Sequence, residues 1–306
     1  MGLAVGDATG APYEGLPGDM IFVMGPALAI VEAPPKETRH YTDDTQMAIG
    51  VAETLIEYGG IDEERLATAF SRNYDPARGY GQGARRIIEA MIDDGDWRSL
   101  AETLFPGGSL GNGAAMRVAP VGLMFCDDLD QVAAHAEASA RPTHVHPIAI
   151  DGARLMALAV ALASRNNRFN RRQFLGELKT WAATEEFQWQ LSTAEQLNAG
   201  DSLTGFGNSL EAHRSVVTAI SCFAGSPDSY VGVVSRAIGQ GNDVDTIAAM
   251  AGAISGARLG IKAIPSHLIE SLEDKTKGRT YIMDLANKLH QTYERRLNAI
   301  ALSKSS

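Results

Sequence analysis

The stretch GNDVDTIAAMAGAISGARLG, residues 241–260, decides the fold. A glycine break opens it and two aspartates follow. The rest consists largely of small residues, namely Ala248, Ala249, Ala251, Gly252, Ala253, Gly256 and Ala257. Small side chains let the backbones of neighbouring helices approach closely, which a helix at the centre of a bundle requires. The stretch therefore predicts a buried helix over Thr246–Leu259.

Most of the remaining chain carries apolar residues at helical spacing, and the alternation typical of strands is scarce. Further helices are predicted over Thr45–Tyr58, Ala84–Ile92, Ala114–Phe125, Leu129–Ala140, Ile148–Ser164 and Leu210–Phe223, with a surface helix over Asp284–Leu297. Short breaks with Gly and Pro separate them. The polar stretch Asn166–Asn170 resembles a linker, but the patterns on its two sides are alike. We therefore predict an all-α, compact single domain over residues 1–300 and a disordered tail over 301–306.

The composition excludes several classes of protein. With 306 residues, 45% of them hydrophobic, the chain can bury a large core. A net charge of -10 and a pI near 5.2 argue against a nucleic-acid binder. The two cysteines, Cys126 and Cys222, lie in apolar runs, which indicates core thiols in a reducing compartment. No apolar run approaches the roughly 20 residues that span a bilayer. We expect a cytoplasmic protein with neither a membrane nor a nucleic-acid partner.

A second acidic stretch, HYTDDTQM at residues 40–47, matches the D-x-D-T start of the central helix. Either stretch alone fits a helix cap or a solvated turn. Together they supply oxygen ligands only, from Thr42, Asp43, Asp44, Asp243, Asp245 and Thr246. Arg39 is the only basic residue beside them. They predict a buried site for hard cations such as Mg²⁺, Mn²⁺ or Ca²⁺, with room for two ions that share bridging carboxylates.

Three further stretches place polar groups at predicted helix ends: Glu14 follows a Gly-interrupted helix, and the other two stretches begin one. Glu14 in GDATGAPYEG stands where a carboxylate can reach a metal or a substrate, although a loop glutamate is usually only solvated. Gly81 and Gly83 in GYGQGARR precede a helix whose N–H groups can hold a phosphate, but glycine pairs are common in loops. In SLGNGAAMRVAP, Asn112 opens another helix, and Arg117 can serve merely as a salt-bridge partner.

In this order the motifs resemble those of the ADP-ribosylglycohydrolase family, which contains the dinitrogenase-reductase-activating glycohydrolase and the serine-ADP-ribose hydrolase of animals. The resemblance spans nearly the whole chain, through GLAVGDATGAPYEG, YTDDTQMA, YGQGARR, GNGAAMRVAP, THVHPIAIDGA, GFGNSLEAHRSVVTAISCF and the central stretch. It implies an all-α orthogonal helical bundle with two Mg²⁺ or Mn²⁺ ions. It also implies hydrolysis of the bond between the anomeric carbon of ADP-ribose and a modified side chain. The expected partner is an ADP-ribosylated protein or a small ADP-ribosyl compound, bound by a monomer.

Carried over residue by residue, the resemblance assigns metal ligation to both acidic stretches, with Asp245 as the bridging carboxylate. Glu14 matches a mobile glutamate that guards the metals. The candidate catalytic carboxylates are Glu14, Asp44 and Asp245. The ADP-ribose pocket would be formed by Gly81, Gly83, Gly108, Ser109, Gly111, Asn112, Gly113 and His144. We expect the ions to orient the ribose and activate a water, while a carboxylate transfers the proton.

The linkage and the class of activity remain open at this point. Because relatives with GNGxxMR motifs often act on arginine linkages, the resemblance favours arginine, with serine close behind. A small guanidino compound, a nucleic-acid end and free O-acetyl-ADP-ribose are the other substrates left open. Leu110, next to Ser109, replaces the aromatic residue of serine-specific relatives. A competing interpretation is a catalytically inactive family member that binds ADP-ribose or has a structural role. A metal-dependent phosphatase or nucleotidase is a third, since the same cations suit phosphoryl transfer.

Overall fold

The computed structural model describes residues 1–34, 36–165 and 168–303, and in these ranges it contains eighteen α-helices and no strand. In chain order they are α1 (Gly2–Gly10), α2 (Gly18–Met24), α3 (Ala27–Glu32), α4 (Asp43–Tyr58), α5 (Glu63–Asn73), α6 (Gln82–Ile92), α7 (Trp97–Thr103), α8 (Gly113–Met116), α9 (Ala119–Met124), α10 (Leu129–Ala140), α11 (Pro147–Arg165), α12 (Arg171–Trp181), α13 (Glu185–Gln196), α14 (Ala212–Gly225), α15 (Tyr230–Ile238), α16 (Val244–Leu259), α17 (Ser266–Ser271) and α18 (Arg279–Ser303). The predicted all-α fold with a single compact domain is confirmed.

The small-residue helix α16 lies at the centre of the molecule. All of its residues from Val244 to Ser255 are buried, and α1, α11, α14 and α15 pack around it. Helix α1 runs antiparallel to α16 along a row of glycines. A Cβ at Gly6 would overlap the carbonyl oxygen of Ala248, and a Cβ at Gly10 would lie 2.7 Å from the Cα of Asp245. Because only glycine permits this approach, the end of α1 lies directly beside the acidic start of α16.

The helix predicted over Ala114–Phe125 is wrong as a single element. The structure divides it into α8 and α9, with Arg117 and Val118 between them. Pro120 explains the break, because proline lacks the N–H that would bond the carbonyl of Met116 and its ring clashes with that group. Because of this break, Arg117 lies between the two helices, and its contacts are described with the functional site below.

Helix α11 has the length and composition of a membrane span, contrary to the expectation from the sequence. It has 19 residues with a mean hydropathy of 1.5, and 72% of its apolar window is buried inside the molecule. It packs against α8, α9, α10, α14 and α16. These contacts are those of a core helix.

The last helix extends into the segment predicted to be a disordered tail. Helix α18 continues to Ser303, so the prediction of disorder is wrong for 301–303, where Ala301 and Leu302 favour helix. Residues 304–306 lie outside the described residues, as do Asn166 and Asn167 of the stretch that resembles a linker.

Candidate functional site

The starts of α4 and α16 meet in the structure, although about two hundred residues separate them in the sequence. The hydroxyl of Thr246 donates to Asp44 Oδ2 over 3.4 Å. Four of the predicted ligands are buried, namely Asp44, Asp243, Asp245 and Thr246. The other two, Thr42 and Asp43, are half-buried. The two acidic stretches that the sequence pairs therefore lie side by side.

A fifth carboxylate, Asp7 on α1, joins them and was missed by the sequence analysis. Asp7 is fully buried, and both of its oxygens accept from Thr42 N–H at 3.1 and 3.0 Å. The backbone and hydroxyl of Thr45 also donate to Asp7 Oδ2, at 3.1 and 2.5 Å. The available signal was a lone carboxylate in an otherwise apolar, glycine-rich helix. We call Asp7, Asp43, Asp44, Asp243 and Asp245 the acidic cluster.

Helix capping accounts for only one member of the two acidic stretches. Thr42 precedes α4, and its hydroxyl accepts from Asp44 N–H, as a cap does. Asp243 occupies the same position before α16, but its carboxylate makes no capping hydrogen bond. It instead accepts from Asn112 Nδ2 at 2.5 Å, and Asn112 Nδ2 also lies 2.9 Å from Ser215 Oγ. We call residues 107–113, which lead into α8, the glycine loop; Asn112 connects this loop to the acidic cluster.

The pKa of every carboxyl group in the acidic cluster is raised, and burial is the largest cause for each. Burial raises the pKa of Asp7 and of Asp243 to about 6. Burial and the charge of Asp7 raise the pKa of Asp43 to about 7, and burial and the charge of Asp243 raise that of Asp245 to about 9. Burial, followed by the charges of Asp7 and Asp245, raises the pKa of Asp44 well above its usual range. Ionised carboxylates at this density need a cation.

The surrounding basic side chains do not provide that cation through direct contact. Arg39, the basic residue beside the stretch at 40–47, donates to the hydroxyl of Thr9 over 2.7 Å. Arg117 is fully buried, and within the described residues it forms no ion pair, so the expectation of a salt bridge is not met. It donates to Thr143 Oγ1 at 2.8 Å and to the carbonyl of Ser139 at 2.6 Å.

The donor atoms of the acidic cluster fit hard divalent cations. Two buried carboxylate oxygens, Asp44 Oδ1 and Asp245 Oδ1, have no hydrogen-bond partner among the residues that the structure describes. In the same ranges, no group of three or more His, Cys, Asp or Glu side chains is arranged so that it could hold a metal ion, so the fit is one of donor chemistry. The hydroxyls of Thr42 and Thr246 lie beside Asp44 and are further oxygen donors. Oxygen-only donors of this kind suit Mg²⁺ or Mn²⁺ better than zinc.

Glu14 lies in an exposed loop beside the acidic cluster. Its charge contributes to the raised pKa values of Asp43, Asp243 and Asp245. Two backbone hydrogen bonds of 2.7 Å, from Gly15 N–H to Asn242 O and from Asn242 N–H to the carbonyl of the residue after Gly15, anchor this loop. The segment before α16 thus holds the glutamate at the edge of the cluster.

The glycine loop before α8 surrounds His144. A Cβ at Gly113 would lie 2.8 Å from His144 Cε1, and a Cβ at Gly111 would lie 3.4 Å from His144 Nε2. Ser109 Oγ accepts from Gly111 N–H at 3.2 Å. Gly108 has φ +86° and packs against the segment that follows His144. The structure therefore brings most of the predicted pocket residues together, next to Asn112 and the acidic cluster.

The other two predicted pocket residues, Gly81 and Gly83, do not contact His144. A Cβ at Gly83 would meet Phe105 at 2.7 Å, and nothing lies within 4 Å of a Cβ at Gly81. Gly83 is connected to the glycine loop through Phe105, whose carbonyl accepts from the N–H of Gly108 over 2.9 Å. Arg85, which the sequence places near a phosphate, donates to Tyr74 and pairs with an exposed glutamate on its own helix.

Three comparisons with known proteins each match nearly the whole chain to ADP-ribosyl hydrolases or related proteins. The family model described as ADP-ribosylglycohydrolase matches residues 1–298. The ADP-ribosylhydrolase ARH3 of Mus musculus is 30% identical over 339 residues, which cover 96% of this chain and 90% of that relative. The ADP-ribosylarginine hydrolase Tri1 of Serratia proteamaculans (strain 568) is 24% identical over 307 residues, covering 94% of this chain and 77% of the relative. A solved structure described as "ADP-ribosylglycohydrolase-related protein complex" has a TM-score of 0.72 and 25% identity, with 95% of each chain covered. This chain belongs to the ADP-ribosylglycohydrolase family.

Proposed function

We propose that this protein is a metal-dependent hydrolase that removes ADP-ribose from a modified side chain or a related ADP-ribosyl compound. One observation carries the proposal: two acidic helix starts meet in the core, with unpartnered carboxylate oxygens, directly beside a glycine loop and a buried histidine. Family membership supports the ADP-ribosyl part of the proposal.

Two Mg²⁺ or Mn²⁺ ions would be held by the predicted ligands Thr42, Asp43, Asp44, Asp243, Asp245 and Thr246. Such cations supply Lewis acidity toward ribose hydroxyls and water when they are bound. Asp7 would act indirectly, because its oxygens are occupied by hydrogen bonds from Thr42 and Thr45 at the start of α4. It therefore orients the hydroxyl and the backbone that carry the first ligand set.

The glycine loop is suited to the diphosphate of ADP-ribose. The absence of side chains at Gly111 and Gly113 leaves room for an anion beside His144, with which a side chain at Gly113 would collide. The N–H of Gly113, at the start of α8, would donate to that anion, whereas the N–H of Gly111 already donates to Ser109 Oγ. Asn112 connects this loop to Asp243, so the diphosphate and the ribose ends of one ligand would be held at a fixed separation. Positioning of this kind lowers the entropic cost of reaching the transition state.

In the proposed reaction, the oxygen of a water forms a bond to the anomeric carbon, and the bond from that carbon to the modified side chain breaks. The side-chain heteroatom takes up a proton, and a carboxylate accepts the proton released by the water. Glu14 is the accessible carboxylate, while Asp44 and Asp245 each keep one unpartnered oxygen inside the cluster. These three side chains are the candidate catalytic residues.

The experiment that tests the function also identifies the linkage. Pure protein is incubated with arginine-linked and serine-linked ADP-ribosyl peptides, in Mg²⁺ and in EDTA, and free ADP-ribose is followed by mass spectrometry. Metal-dependent release from one peptide establishes the hydrolase and its linkage. Release of phosphate would indicate a phosphatase instead. ADP-ribose binding without release from either peptide would favour a family member that kept the pocket and lost catalysis.

We further propose that the protein is a cytoplasmic monomer. Cys126 and Cys222 are both free thiols, which fits a reducing compartment. Size-exclusion chromatography with light scattering tests the oligomeric state, and a mass near 65 kDa, twice that of the 32.6 kDa chain, would contradict a monomer.

A further inference from the structure

A fully buried arginine is connected to the pocket histidine through one hydroxyl group. Arg117 Nη1 donates to Thr143 Oγ1 over 2.8 Å, and Thr143 Oγ1 lies 2.7 Å from His144 Nδ1. Arg117 also donates to the carbonyl of Ser139 and lies over the ring of Phe70 at 4.7 Å. These contacts fix the guanidinium, which has only donors to offer because arginine stays protonated in proteins.

The hydrogen-bonding capacity of Thr143 then determines the proton on His144. Thr143 Oγ1 must accept from Arg117, and its single hydroxyl hydrogen needs an acceptor of its own. Within the described residues, His144 Nδ1 is the only acceptor bonded to that hydroxyl. A buried hydroxyl left without an acceptor has lost its hydrogen bond to water and gained none in the protein, which is unfavourable. The hydrogen therefore goes to Nδ1, which must be unprotonated, and the imidazole proton is on Nε2.

We propose that Arg117, acting through Thr143, holds His144 as the neutral Nε2–H tautomer and thereby presents an N–H donor to an anionic oxygen of the bound ADP-ribosyl diphosphate. The ligand part of this inference rests on the proposed function. His144 Nε2 faces the glycine loop, where Cβ atoms built on Gly111 and Gly113 would lie 3.4 and 3.2 Å from it. Arg117 and Thr143 are positioning residues, since both are buried and would act on the ligand through His144.

The electrostatic environment supports a neutral ring. Burial, followed by the positive charge of Arg117, lowers the pKa of His144 to about 3. The ring therefore donates without carrying a charge at neutral pH. The opposite tautomer would turn the lone pair of Nε2 toward an anionic oxygen, which is repulsive, and would leave the Thr143 hydroxyl hydrogen without an acceptor.

Nuclear magnetic resonance on the ¹⁵N-labelled, metal-loaded protein tests the tautomer before any ligand is added. Long-range ¹H–¹⁵N correlations distinguish Nε2–H, Nδ1–H and doubly protonated imidazoles, and a His144→Gln variant assigns the signals. We expect the Nε2–H pattern in the unaltered chain. An Nδ1–H or imidazolium pattern for His144 overturns the inference without requiring any variant to fold.

Two variants at Thr143 then connect the tautomer to binding. Thr143→Val keeps the shape and removes the hydroxyl, whereas Thr143→Ser keeps the hydroxyl. We expect Thr143→Val to lose the pure Nε2–H pattern and to weaken ADP-ribose binding about tenfold in calorimetry, with Thr143→Ser within about twofold of the unaltered chain. Unaltered affinity in a folded Thr143→Val protein would overturn the positioning role. If ADP-ribose fails to bind the unaltered chain, the proposed function and the ligand part fail together, while the tautomer result stands by itself.

Discussion

At the scale of single residues, the site is defined by carboxylates that the fold buries against their electrostatic preference. Asp245 shows this most clearly, because burial and the charge of Asp243 raise its pKa to about 9, and its Oδ1 has no hydrogen-bond partner among the described residues. Such a group destabilises the ionised site until a cation binds. Ionised Asp245 therefore destabilises the folded protein when no cation is bound, and it is a metal ligand in the proposed active protein.

Replacing Asp245 with Asn separates these two effects. The amide keeps the shape of the side chain and removes its charge. Replacing a residue that only orients a metal ligand typically costs about 10–100-fold in activity. We expect a larger fall in metal-dependent ADP-ribose release for Asp245→Asn. Mn²⁺ calorimetry should show at least one site lost. Asp130→Asn, at an exposed position on α10, is the matched control and should retain both properties. Full turnover in Asp245→Asn would refute the proposed role of this carboxylate.

Asn112 offers a second test at this scale. Its amide donates to Asp243 and lies beside Ser215, so Asn112→Ala removes a donor that holds the carboxylate in its ionised form. We expect the affinity for Mn²⁺ to fall about tenfold or more, measured by calorimetry. Asn287→Ala, on the exposed face of α18, serves as the control. Equal metal affinities for the two variants would show that Asn112 does not support the metal site.

At the scale of helices, the contact between α1 and α16 positions the site. The glycines of α1 let its backbone touch α16, and this contact places Asp7 beside the start of α4 and Gly10 beside Asp245. The periodic small residues of α16 were sufficient to predict its central position. They did not reveal its partner, because many helices of similar composition could fill that role.

Gly6→Ala tests this packing. The added Cβ would overlap the carbonyl of Ala248, which is backbone and cannot move aside cheaply. We expect a loss of about 1–3 kcal/mol in the free energy of unfolding, measured with urea, together with weaker metal binding. Gly205→Ala, where nothing lies within 4 Å of the new Cβ, should be close to neutral. Equal stabilities of the two variants would contradict the close approach of the helices.

At the scale of the whole molecule, stability should depend on pH and metal together. The pKa values of Asp7 and Asp243 are raised to about 6, and that of Asp43 is raised to about 7. The pKa of an Asp in the unfolded chain is about 4. The folded state therefore binds protons that the unfolded chain releases. This stabilisation is complete below about pH 4 and is lost as the pH rises through the folded pKa values.

The Tm of the protein in EDTA should accordingly fall between about pH 5 and about pH 8, and Mg²⁺ or Mn²⁺ should restore it most strongly at the upper end. Thermal denaturation over that range, with and without cation, measures both effects. Asp130→Asn again provides the control, since it leaves the acidic cluster intact. A Tm that is flat with pH, or that cations raise equally at both ends, would contradict the proposed charge balance.

The sequence by itself determined the all-α fold, the central helix and the family, because these depend on local periodicity and on motifs that are contiguous in the chain. It also named both acidic stretches, although their role as metal ligands remains a prediction. Only the tertiary structure decided that Asp7 completes the acidic cluster and that Arg117 donates to Thr143, beside His144, rather than to a carboxylate. It likewise separated Gly81 and Gly83 from His144. Partners 35 residues apart, such as Asp7 and Thr42, are set by helix packing, which no local pattern encodes.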